Sequence, residues 1–266
     1  TRDPSSAASD VYKRQLIGTV GMWSVVVFIP DIEKEFGLDR GTSSLLYAFT
    51  MIGFGFGTVV IGKVYDKFGI KKPILLATFV LITSYYFYSI FPFYWQFLIL
   101  QFFMGFAASA FFGPAMADIS NFFNKQRGFA LSIVASANYV AGATWPLLIG
   151  YFLTFIDWRA AHFWISICLF IMIPLILLLK NASVDESKSH DMKQRYKDIR
   201  LDLSNNQIQV LLMLAGICCC VAMAMPQVHM VALCVDNGFG LQVGTEILAV
   251  MLYSCLLYTS PSPRDP

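Results

Sequence analysis

Charge is what this sequence most lacks. Asp, Glu, Lys and Arg make up 14% of its 266 residues, where an ordinary globular chain carries roughly 25%. None of the four occurs from Pro73 to Ala117, from Gly128 to Ile156, from Ala160 to Leu179 or from Leu203 to Val235. A helix that spans a bilayer needs about 20 largely apolar residues, so the first stretch holds two spans and each of the others holds one. With 57% hydrophobic residues and a mean hydropathy of +0.62, the chain reads as a polytopic membrane protein. The shortage excludes a soluble enzyme, and also a nucleic-acid binder, which needs a basic stripe. Six cysteines, three of them consecutive, do not make a disulfide-stapled secreted domain. Phosphate-loop, catalytic-triad and zinc-ligand spacings are missing too, so neither a cofactor nor a metal is expected.

The two ends are set apart from the rest. The segment Asp10-Val11-Tyr12-Lys13-Arg14-Gln15 is what a sequencing-adapter element spells when translated. Cys255-Leu256-Leu257-Tyr258-Thr259-Ser260 is spelled by its reverse complement. Residues 1–15 and 255–266 are therefore taken as non-native, adapter-like tails, leaving 16–254 as the biological part.

Eight apolar segments follow, and the expected class is all-α. Helices 1 to 6 cover about Leu16–Ile32, Ser44–Val64, Pro73–Ile90, Phe93–Ala117, Gly128–Phe152 and Ala160–Leu179. Together they make a six-helix bundle over 16–179. The polar stretch 180–207, mixed in sign and free of Gly and Pro, is a solvated linker. Residues 208–254 hold helix 7, about Ile208–Val235, and a partial helix 8 from Val243. Lys and Arg gather on one side. Loops 2–3 (Lys63, Lys67, Lys71, Lys72), 4–5 (Lys125, Arg127) and 6–7 (Lys180, Lys188, Lys193, Arg195, Lys197, Arg200) carry twelve, and the opposite loops carry only Lys34, Arg40 and Arg159. The rich side is expected to be cytoplasmic.

Loop 2–3 reads Gly62-Lys63-Val64-Tyr65-Asp66-Lys67-Phe68-Gly69-Ile70-Lys71-Lys72. It resembles the G-x-L-x-D-R-x-G-R-K/R signature of the major facilitator superfamily, in the loop where that family has it. The resemblance covers Leu16 to Ser254: a six-helix half, a central loop and the start of a second half. It implies a secondary transporter that rocks two halves around a midplane site, with Gly62, Asp66, Lys67, Gly69 and Lys71 in the conformational-switch loop and Asp118 as a partner for Lys71 or Lys72. It further implies a small-molecule substrate, with a proton or sodium as coupling ion, in a chain that is monomeric when full length. Ile70 departs from the signature's Arg. Gln101 stands where many members have an Arg linked to proton transfer. In Gly142-Ala143-Thr144-Trp145-Pro146-Leu147-Leu148-Ile149-Gly150, Trp-Pro replaces the Gly-Pro of the antiporter element. Ala117–Phe123, Arg127-Gly128 and Met225–His229 are similar to bacterial members near the monocarboxylate and oxalate/formate branch. That likeness implies an inner-membrane location and a monocarboxylate-like anion among the candidate solutes.

Polar groups inside a membrane are costly and tend to line cavities or pair with neighbouring helices. Gln101, Asn138, Tyr139, Thr144, Trp145, Gln227, His229 and Glu246 are the candidates. Asn138 and Tyr139 are favoured, because they lie near the Pro146 kink, which frees backbone carbonyls. Gln101 and Trp145 divide evenly between cavity lining and structural pairing. His229 and Glu246 lean towards structural roles. Cys218, Cys219 and Cys220 point about 100° apart and cannot converge on one metal. Gly53, Gly55, Gly57 and Gly62, with Gly105 and Ser109, suit close helix packing. A seven-helix receptor or sensor without transport is the alternative reading, and a membrane enzyme is a further one.

Overall fold

In the computed structural model of the chain, residues 12–69, 71–122, 127–177 and 204–259 are described, and they are almost entirely helical. The adapter-like residues 1–11 and 260–266, Ile70, Lys125, linker residues 180–203 and the side chain of Asp118 lie outside that description. Helix α1 spans Tyr12–Phe36, α2 Arg40–Phe68, α3 Lys71–Ile90, α4 Tyr94–Phe122 and α5 Arg127–Phe152. Helix α6 runs Trp158–Phe170 and resumes as Met172–Leu177, α7 is Asn205–Asp236 and α8 Leu241–Thr259. All eight expected segments are helical. Six of these helices are long and apolar enough to cross a membrane.

Boundaries differ from expectation where local chemistry overrides hydropathy. Arg40 to Ser43 extend α2 backwards because Asp39 caps it, accepting from the Thr42 amide at 3.1 Å and the Thr42 hydroxyl at 2.5 Å. These two contacts hold the Asp39 carboxyl below the usual carboxylate range. Ser204 and Gln207 form a reciprocal capping box, so α7 opens at Asn205. Helix α6 is interrupted at Ile171, three residues before Pro174, whose missing N–H and ring disturb the preceding turn. At the tails, α1 begins at Tyr12 and buries Arg14 and Gln15, and α8 continues past Ser254 to Thr259. Both helices thus run beyond the limits 16 and 254 read from the sequence.

Two turns require glycine. Gly37 ends α1 with φ 61° and Gly69 ends α2 with φ 73°, the left-handed region where a Cβ is strained.

The lobe is assembled through pairs: α2 on α4, α3 on α6 and α4, α1 across α2, α4 and α5. Closest are α2 and α4. A Cβ on Gly105 would collide with the Thr50 carbonyl, one on Gly53 with the Phe102 carbonyl, and one on Gly57 with Ser109. Gly53, Gly57, Gly105 and Ser109 therefore pack as expected. Gly55 and Gly62 do not: each has open space where a Cβ would sit. At the face carrying loops 1–2, 3–4 and 5–6, Glu35 fastens α1 to α6. It accepts from Trp158 Nε1 and pairs with Arg159, both at 2.7 Å, and Arg159 also donates to the Phe91 carbonyl at 2.8 Å.

Replacing Gly105 with leucine should destabilise the protein by at least about 2 kcal/mol, because an overpacked helix crossing must separate. Gly113→Ala places its methyl in ordinary contact with Thr58 and, inside a helix, should leave stability unchanged or raise it by up to about 1 kcal/mol. The thermal unfolding midpoint in detergent measures both, and equal losses would contradict this packing account.

Candidate substrate cleft

Where α5 packs against α1 and α8, aromatic and amide side chains gather. Trp23, buried on α1, donates its Nε1–H to Asn138 Oδ1 at 3.2 Å. Gly142, one turn along α5, leaves room for that indole: a Cβ there would sit 2.6 Å from it. The Asn138 amide is thereby oriented, and its Nδ2 has no protein acceptor among the described residues. Trp145 donates to the Leu16 carbonyl at 2.7 Å, and Thr144 shares a 3.3 Å contact with the Tyr253 hydroxyl. From Leu16 to Pro30, Ser44 to Gly62, Gly128 to Ile156 and Leu203 to Val235 there is no Asp, Glu, Lys or Arg. The apolar parts of α1, α2, α5 and α7 thus present rings, amides and thiols rather than charges.

The structure separates the candidates that the sequence grouped. Asn138 and Trp145 of α5 turn to α1, and Thr144 turns to Tyr253 of α8. Gln227 is buried on α7 and His229 is partly buried close to Val231. Glu246 is exposed and accepts from Gln242 at 3.2 Å.

Gln101 is not in this group. It is buried inside the first lobe, where its Oε1 faces the Thr50 hydroxyl at 2.9 Å and its Nε2 donates to Tyr88 at 3.3 Å. That Thr50 hydroxyl also lies 2.9 Å from the Leu46 carbonyl. The switch-loop residues are spread over the end of α2: Lys67 lies 5.3 Å and Lys72 4.9 Å from the Phe68 ring centre, while Gly62 is inside the helix.

Other buried polar residues escaped the sequence reading. Trp23 is one. His162 of α6 is another: its Nδ1–H donates to the Trp158 carbonyl at 2.7 Å, and its ring lies parallel to Tyr88 at 4.4 Å and 4.0 Å from Phe28. Tyr85 meets Ser24 at 2.6 Å. A solitary histidine in an apolar helix was the available signal for His162. Trp23 sat among apolar residues with nothing to mark it.

The chain is similar to several fungal proteins. A transporter of the MFS type from Aspergillus niger is 28% identical over 151 residues, covering 55% of this chain and 34% of the relative. An agnestins efflux protein of Paecilomyces divaricatus is 26% identical over 156 residues, covering 56% and 35%. A fujikurins efflux protein of Gibberella fujikuroi is 32% identical over 97 residues, covering 36% and 21%. The chain spans about a third or less of the length of these relatives. Their fungal origin gives no support to the bacterial, oxalate/formate-like assignment or to an inner-membrane location. The model of the Major Facilitator Superfamily matches residues 15–262. The chain is a multi-pass integral membrane protein of a transporter family that binds small molecules, and it belongs to the major facilitator superfamily.

Proposed function

We propose that the whole protein is a secondary transporter that exports a small organic solute by alternating access, and that this chain contributes its first lobe and the start of its second. The observation that supports the reading is on α5, where Trp23 fixes Asn138 with its amide Nδ2 unpaired among the described residues. Such a group donates to a carbonyl or hydroxyl oxygen, and Tyr139 and Trp145 offer flat faces for an apolar ring. An uncharged, ring-bearing solute suits these helices better than a monocarboxylate, whose counter-cation α1, α2, α5 and α7 do not supply in their apolar parts. Export as the direction is supported by the efflux names of two relatives. Coupling to a proton or sodium gradient belongs to the same proposal. So does a monomeric full-length state, and so does the placing of loops 2–3, 4–5 and 6–7 in the cytoplasm, which the Lys and Arg bias supports.

In proteoliposomes, the full-length protein should move a ring-bearing solute under an imposed proton or sodium gradient. No flux for any solute class would defeat the reading. Asn138→Ala should raise KM about fivefold to tenfold, the value of one hydrogen bond, with kcat less affected. In cells, a cysteine introduced as Lys71→Cys should react with a membrane-impermeant maleimide only after permeabilisation. Labelling of intact cells would reverse the assigned sidedness.

A further inference from the structure

Helices α7 and α8 pack on the first six most closely at one end. On α7, Val228, Val231, Ala232 and Cys234 are buried near the end that leads into loop 7–8, while every residue from Gln209 to Ala222 is exposed. Gly244 and Gly150 lie at the same end. A Cβ on Gly244 would press on the Val231 backbone and one on Gly150 on Thr245, so α8 sits tight against both α7 and α5 there. On this face, an ion pair crosses between lobes. Arg40, at the start of α2, sets Nη2 2.7 and 2.6 Å from the two oxygens of Asp236, at the end of α7.

Neither charge suits its own helix. A cation at a helix N-terminus and an anion at a C-terminus both oppose the macrodipole, so each end is less stable than a neutral residue would leave it. Their mutual contact is what offsets that penalty. Arg40 also has a second counter-ion in its own lobe: Glu33 lies 3.1 Å from Nη1 and is itself held by the Ser43 hydroxyl. The Asp236 side chain is 57% exposed, that of Arg40 31% and that of Glu33 15%. If α7 swings away, Asp236 passes into water and Arg40 remains neutralised by Glu33. The contact can therefore break without leaving a buried unpaired charge, which would make opening costly.

We propose that Arg40, Glu33 and Asp236 form a releasable latch between the two lobes, which favours closure of the loop 1–2 and loop 7–8 face. Arg40 is the fixed half, held by Glu33, and Asp236 is the half that lets go. The proposal rests on the transporter reading only in that opening and closing belong to its cycle. An exposed pair of this kind biases the closed state about twofold to fivefold, a range that holds the face shut and still permits it to open.

The test uses the full-length protein in nanodiscs, with spin labels attached through a ketone-bearing amino acid at positions 155 and 239, so that the native cysteines stay in place. Both positions are highly exposed, on loops of different lobes. Asp236→Asn and Arg40→Gln should each raise the population with long label separation by about twofold to fivefold. The double variant should shift it no further than either single one, because both remove the same contact. The exchange Arg40→Asp with Asp236→Arg should restore the short distance, since Arg at 236 would then face Asp at 40 and Glu33 together. Unchanged distances in Asp236→Asn, or additive shifts in the double variant, would overturn the latch. If the protein carries no solute yet these distances respond as described, the latch stands and the transport reading falls. The converse result separates them the other way.

Discussion

The close approach of α2 and α4 is the constraint on which the rest of the lobe depends. Lipid tails are as apolar as the side chains they would replace, so helices in a membrane associate through packing and polar contact rather than through the hydrophobic effect. Gly53, Gly57 and Gly105 let two backbones come within a distance that no side chain would allow. That proximity brings Thr50 under Gln101, and Gln101 reaches on to Tyr88 of α3. Tyr88 in turn lies flat on His162 of α6. One glycine-lined crossing thus seeds a polar and aromatic connection through four helices, and the lobe's interior follows from it.

Around that interior, α1 is the element with divided loyalties. Its far end is fastened to α6 by Glu35, Trp158 and Arg159, while Trp23, halfway along, reaches the cleft face of α5. Ser24 turns to Tyr85 on the opposite side. Two neighbouring residues of one helix therefore serve the contact with α5 and the lobe core. Serving both keeps α5 in register with the bundle behind it.

Much of this was legible in the sequence and some of it could not be. The spans were visible because a water-facing helix cannot go without charge for so long a run, whereas one in hydrocarbon must. Asn138, Tyr139 and Trp145 were found through a proline in a polar patch of α5. Hydropathy could not say which way Gln101 points, because α4 is apolar on every side and such a helix has no face to interpret. The same blindness grouped Gly55 and Gly62 with Gly53 and Gly57, although an offset of two residues turns a side chain about 200° around the helix. Trp23 was hidden for a related reason: an indole among valines looks like filler until its partner on α5, Asn138, is seen. The start of α2 and the break in α6 were set by a cap and a proline, which hydropathy does not register.

Gly142 governs the contact between α1 and α5 through what it lacks. Its missing side chain is the seat of the Trp23 ring, and that ring fixes the direction of Asn138. Any larger residue at this shelf would lift the indole and swing the amide. The direction of that amide is thus decided by a residue with no side chain of its own.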